Sequence, residues 1–99
     1  MEFNFINGFD WDSGNIEKNW ERHEVSFIEC EQAFFNFPIR FQYDTKHSQK
    51  ENRYILFGKT DKERFLIIVF TIREDKVRVI SARDQNIKER LYYLGDIDE

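Results

Sequence analysis

The sequence has one cysteine, Cys30, and only two histidines, His23 and His47. A lone thiol forms no internal disulfide, and three such residues scattered along 99 positions give no zinc-ligand spacing. No metal or other cofactor is therefore expected. Proline occurs once, at Pro38, and glycine four times, which excludes a Pro/Gly-rich linker or low-complexity tract. Long apolar runs are missing too. The longest uncharged apolar run, Phe65 to Ile72, has eight residues, whereas a membrane helix needs about 20. The start, Met1-Glu2-Phe3-Asn4, lacks the basic residues that open a signal peptide. The expectation is a cytoplasmic protein with no membrane segment.

What is present is the raw material of one core. Apolar residues make up 40% of the chain and aromatics 17%, eleven of them Phe, so the chain should fold. Its length suits a single domain over residues 1–99. The net charge of −4 hides an asymmetry: residues 1–39 carry −6, residues 40–95 carry +5 and the last four carry −3. A basic second half behind an acidic first half suggests one face for a polyanion.

Periodicity divides the chain. Phe3 and Phe5 alternate with polar neighbours before Asn7-Gly8, predicting a short first strand over Phe3 to Ile6. Asp12 or Ser13 can cap a helix running to Arg22, with Ile16, Trp20 and His23 at helical spacing. Trp11 and Trp20 are expected to pack helices onto the sheet. Ser26 with Glu29 forms a capping-box pattern, and Phe27, Cys30, Ala33, Phe34 and Phe37 predict a buried stripe ended by Pro38. Ile39 to Tyr43 alternates as a strand, and Asp44 to Glu51 reads as a polar loop. Arg53 to Lys59, Arg64 to Arg73 and Lys76 to Arg83 then predict an antiparallel meander with short polar tips. The central run, Phe65 to Phe70, is apolar on both faces, so helices should cover one side and something else the other. Asp84 can cap a last helix over Gln85 to Leu94 that turns Ile87, Leu91 and Leu94 inward. The order implies an α+β layer fold with two N-terminal helices and a C-terminal helix on an antiparallel sheet of about four strands.

Three segments carry a resemblance: Phe9-Asp10-Trp11-Asp12 leading through Asn19 to His23-Glu24-Val25-Ser26-Phe27; Arg53-Tyr54-Ile55-Leu56-Phe57-Gly58; and Arg78-Val79-Ile80-Ser81-Ala82-Arg83 followed by Glu89-Arg90 and Tyr92. In this order and spacing they resemble the BrnT toxins. The resemblance implies a RelE-like fold, RNA cleavage, growth arrest, and neutralisation by a BrnA-type antitoxin in a hetero-oligomer that meets operator DNA only through the antitoxin. The chain departs from the family pattern at Asn15, Arg22, Cys30 and Asp84-Gln85, with a net loss of positive charge. A rival reading is a non-enzymatic module that binds antitoxin or RNA without cutting.

Cutting RNA without a metal requires a base for the 2′-OH proton, cationic donors for the phosphorane oxygens and a donor for the leaving oxygen. Arginine suits the second task because its planar fork matches two phosphate oxygens and stays charged. If Glu74-Asp75 is a two-residue turn, Arg73 faces Lys76 and Thr71 faces Arg78; an unbroken ladder then sets Ile68 opposite Ser81 and Leu66 opposite Arg83. Arg64 and Arg83 would share one face, Arg78 would lie on the other, and the last helix would bring Arg90 close to the first pair. The catalytic candidates are Arg64, Arg83, Arg90, His23 and Glu89. Arg78, Lys59, Lys88 and Tyr92 are the RNA-binding candidates. Each has a structural alternative: Arg83 can pair with Asp84 or Glu89, His23 can fill the join between two helices, and Tyr92 and Tyr93 can stack a base or pack. His47 stands in the polar loop without motif support.

Overall fold

The structure, a computed structural model, describes residues 7–95. The strand expected at Phe3 to Ile6 lies outside the described residues. Asp12 caps α1 (Ser13–His23) through a box in which the Asn15 N–H donates to Asp12 Oδ1 at 2.9 Å and the Asp12 N–H to Asn15 Oδ1 at 2.8 Å. The expected Ser26/Glu29 box starts α2 (Phe27–Ala33). Four strands follow: β1 (Arg40–Tyr43), β2 (Tyr54–Lys59), β3 (Phe65–Arg73) and β4 (Lys76–Asp84), then α3 (Ile87–Tyr93). The strands form one antiparallel meander in chain order. The architecture is α+β.

β3 is apolar on both faces and separates two clusters. Leu66, Ile68 and Phe70 join Val25, Cys30, Ala33, Leu56, Val77, Val79 and Ala82 under α1 and α2. On the other side Ile67 packs with Phe57 and Tyr93 beneath α3. The second covering element is thus the chain's own last helix, which reaches only part of that face. At Gly58 the α2 backbone comes so close that a Cβ would sit 2.7 Å from the Ala33 carbonyl oxygen and 2.8 Å from Leu56 Cδ2.

α1 packs differently from its expected stripe. Trp20 is 54% exposed, and the buried positions are Asn15 and Asn19. The reason lies in the sheet edge: β4 would leave outward N–H and C=O groups unpaired. Asn15 Nδ2 donates to the Val79 carbonyl at 3.3 Å, Lys18 Nζ to the Ile80 carbonyl at 3.4 Å, and the Ala82 N–H donates to Asn19 Oδ1 at 3.1 Å. Trp11 does pack, edge-on to Phe27, and donates to Glu31 Oε2 at 2.8 Å. The α2 stripe is narrower than expected, with Phe37 80% exposed.

The hairpin tip has the expected two-residue geometry: Arg73 pairs with Lys76, and Glu74 and Asp75 both take positive φ. Thr71 pairs with Arg78 as expected, but the ladder then slips. Phe70 pairs with Val79 and Val69 with Ser81, so Ile80 is an extra residue in a β-bulge. Beyond it Ile68 faces Ala82, Ile67 faces Arg83 and Leu66 faces Asp84. Core packing selects this register, because it buries Ala82 beside Leu66 and Ile68 instead of burying Ser81 and Arg83. The slip also carries β4 through Asp84, so Asn86 caps α3 in place of Asp84. Ile87 is then 79% exposed, Leu94 faces solvent as well, and Tyr93 is the buried anchor, its hydroxyl donating to the Pro38 carbonyl at 2.6 Å.

Candidate functional site

The bulge decides which arginines meet. Arg78 pairs with Thr71 and Arg83 with Ile67, four residues apart on β3, so both belong to the face away from α1 and α2. Arg64 does not share that face. Its Nε and Nη2 donate to Asp84 at 2.7 and 3.1 Å, Nη1 to Glu29 at 3.2 Å and to the Glu24 carbonyl at 2.8 Å, and Nη2 to the His23 carbonyl at 3.0 Å. The expected pairing of Arg64 with Arg83 is therefore overturned. Arg64 is a clasp joining the α1–α2 turn to β3 and β4. The Asp84 and Glu29 carboxylates beside it push its pKa further up, while Arg64 holds Asp84 below the usual carboxylate range.

Arg90 lies with its guanidinium over the Phe65 ring, 5.2 Å from the centroid, and its charge acts on Asp84, the partner of Arg64. His23 is exposed at the end of α1 and contributes its backbone carbonyl to the Arg64 clasp. Lys59 pairs with Glu63 at 3.5 Å, and Lys88 is exposed on α3. Tyr92 packs edge-on against Phe57 and under the Arg40 guanidinium.

What remains on the open face is a groove of about 390 Å³, with Arg83 and Glu89 at one side, Arg53, Asp44 and His47 at the other, and Ile55, Phe57, Ile67 and Val69 as its floor. Arg83 makes a two-pronged pair with Glu89, both contacts at 2.8 Å, and a third bond to the Asp84 carbonyl at 3.1 Å. A guanidinium has five N–H donors, so two are left for another acceptor. The pairing raises the Arg83 pKa and, through the same hydrogen bonds, lowers that of Glu89. Glu89 also accepts from the Asn86 N–H at 2.8 Å in the α3 capping box. It is thus a buttress that aims Arg83, and its lowered pKa makes it a poor proton acceptor at neutral pH.

Arg53 has a buried Nε with no hydrogen-bond partner among the described residues. It also borders the adjoining depression that holds Lys18, Arg73 and Arg78. There Arg78 is partly neutralised, its Nη2 2.7 Å from Asp12 Oδ2 and its Nη1 3.5 Å from Asp10 Oδ2. Sequence reading gave Arg53 and Asp44 no site role and left His47 as a loop residue without motif support, because the 44–51 loop has no periodicity to say where it folds. The position of Arg53 in the second quoted segment was the one available signal. Among the described residues no group of three or more His, Cys, Asp or Glu side chains is placed to hold a metal ion, and no helix is long and apolar enough to cross a membrane.

The groove therefore offers fixed guanidinium donors over an apolar floor, which suits a phosphodiester with an adjoining base. Comparison with curated proteins found no match. The family model described as the ribonuclease toxin, BrnT, of a type II toxin-antitoxin system matches residues 11–89 of the chain. Covering most of the sequence, this match makes the chain a member of the BrnT family of ribonuclease toxins.

Proposed function

We propose that this toxin binds RNA across the open sheet face and cleaves it without a metal ion, with Arg83 neutralising the charge that builds on the scissile phosphate. The observation that carries this reading is the placement of Arg83. The bulge turns it into a groove, Glu89 aims it, and two of its N–H donors stay available. Positioned cations of this kind act on the phosphorane more strongly than on the ground state, which is what lowers a barrier. Arg53 stands across the groove and Arg78 lies about 13 Å along the strand from Arg83, by four residues at about 3.3 Å each. A single RNA strand running over the face can meet both through its phosphates. Lys88, exposed on α3, and Tyr92, packed on Phe57 of the groove floor, are the further RNA contacts in this reading. Arg64, Arg90 and His23 take structural or peripheral roles in this reading.

The family requires an antitoxin partner. A BrnA-type protein is the proposed one, in a cytoplasmic hetero-oligomer that reaches operator DNA through the antitoxin, and the fold is proposed to be of the RelE-like type. A binding-only role is favoured by one observation: Arg64, Arg78 and Arg83 are each already paired with carboxylates. One experiment separates the two readings. Inducing the wild-type chain is expected to arrest growth and fragment cellular RNA, and Arg83→Ala at equal soluble expression is expected to lose both, by about 10²-fold or more in cleavage rate. Equal arrest by the two chains defeats the assignment, and loss of cleavage on adding a chelator defeats metal independence.

A further inference from the structure

In the groove Arg53 and Arg83 are the cations and Glu89 the buttress, and cleavage through the 2′-OH also needs a proton acceptor. Glu89 is committed to Arg83, and His23 lies outside. The geometry points to His47 as the base that takes the 2′-OH proton, with Asp44 as the positioning residue that fixes its ring; this rests on reading the groove as the RNA site. His47 Nδ1 lies 3.0 Å from Asp44 Oδ2 and 3.2 Å from Oδ1. A carboxylate there selects the tautomer that donates from Nδ1, so the lone pair sits on Nε2. Nε2 has no hydrogen-bond partner among the described residues.

The loop that carries the pair is tied down. Ser48 Oγ donates to the Asp44 carbonyl at 2.6 Å and accepts from the Arg53 N–H at 2.9 Å, and the Asp44 N–H donates to the Arg53 carbonyl at 2.9 Å. These bonds close the loop back onto its own base, beside the strand that leads to Ile55 and Phe57. They hold the imidazole in the same groove as Arg53 and Arg83. Asp44 is largely covered, whereas His47 keeps 57% of its side chain open to an incoming strand.

The step balances without a co-reactant. The ribose 2′-oxygen attacks the adjacent phosphorus, forming the 2′-O–P bond as its proton passes to His47 Nε2. Arg83 and Arg53 neutralise the phosphorane, the P–O5′ bond breaks, and the 5′-oxygen takes a proton from water. The products are a 2′,3′-cyclic phosphate and a 5′-hydroxyl, and His47 then returns its proton to solvent.

The test uses the purified full chain on an end-labelled RNA oligonucleotide. His47→Ala is expected to slow cleavage by about 10² to 10⁴-fold while RNA affinity stays within about twofold, since the removed group acts on a proton and not on the phosphate charge. Added imidazole should restore part of the rate in this variant. Asp44→Asn should lower kcat by about 10 to 100-fold with little change in KM. A 2′-deoxy residue at the cut position should block cleavage. His47→Ala cutting at the wild-type rate while Arg83→Ala fails overturns the assignment and leaves the groove reading intact. Loss of RNA affinity in step with rate, without imidazole rescue, also overturns it, by making His47 a binding group. Wild-type cleavage by Arg83→Ala, or no cutting by the wild-type chain, overturns the groove reading and this assignment together.

Discussion

Two arginines show how neighbours determine what one residue type does. Arg64 is enclosed by two carboxylates and two backbone carbonyls at the α1–α2 turn, so its donors are spent inside the fold. Arg83 is held by one carboxylate from one side and keeps donors for something else. Arg64→Ala should therefore cost stability first, by about 2 kcal/mol for charge-assisted bonds at a partly exposed site, read as a lower midpoint in urea melts. Arg83→Ala should leave that midpoint nearly unchanged; a larger drop for Arg83 than for Arg64 would reverse the assignment. Cys30 is the opposite case, a thiol without chemistry, since burial pushes its pKa up to about 12. Of the arginines that reasoning from sequence singled out, Arg64 lies in a structural clasp and Arg83 in the groove. Their type was legible, but the carboxylates that claim Arg64 come from 20 and 35 positions away in the chain, and the one that claims Arg78 from 66.

At the scale of elements, caps and tips follow local rules. The Asp12 and Ser26 boxes and the Glu74-Asp75 turn stand where short-range chemistry puts them. The β4 bulge and the burial of α1 do not, because both answer to partners outside their own segments. Since Ile80 is the extra residue, deleting it should restore a regular ladder with Val79, Ala82 and Arg83 on their present faces. The deletion variant is expected to stay soluble and to keep Arg83-dependent cleavage; insoluble protein or loss of cleavage would show that Ile80 itself is required. Gly58→Ala addresses the α2–β2 contact. Its Cβ meets backbone at 2.7 Å, so a loss of about 1 to 3 kcal/mol is expected from overpacking, and a melt matching the wild type would contradict that geometry.

For the molecule as a whole, charge and acid sensitivity follow from how the two faces are built. Glu29, Asp84 and Glu89 all titrate below their ordinary values of 4.5, 3.8 and 4.5 because arginine and backbone donors hold the ionised forms, against a desolvation cost. Groups with lowered folded pKa stabilise the native state in full above those ordinary values and lose that contribution as pH falls through the folded ones. The melting temperature should thus be nearly level from pH 7 to about pH 5 and fall below pH 4.5; a flat profile down to pH 3 would show that these pairs contribute little. The sequence by itself determined the α+β layering, the meander, the Ser26 cap, the polar loop and the family, because each is written in short-range periodicity, side-chain capping or an ordered set of motifs, and it narrowed the first cap to Asp12 or Ser13. Only the tertiary structure decided that Arg83 and Arg78 share a face while Arg64 turns away, that asparagines seal the β4 edge, and that the Asp44–His47 loop folds over the groove. A strand's register is chosen by which side chains its neighbours can bury, and one extra residue in a ladder reverses every face beyond it.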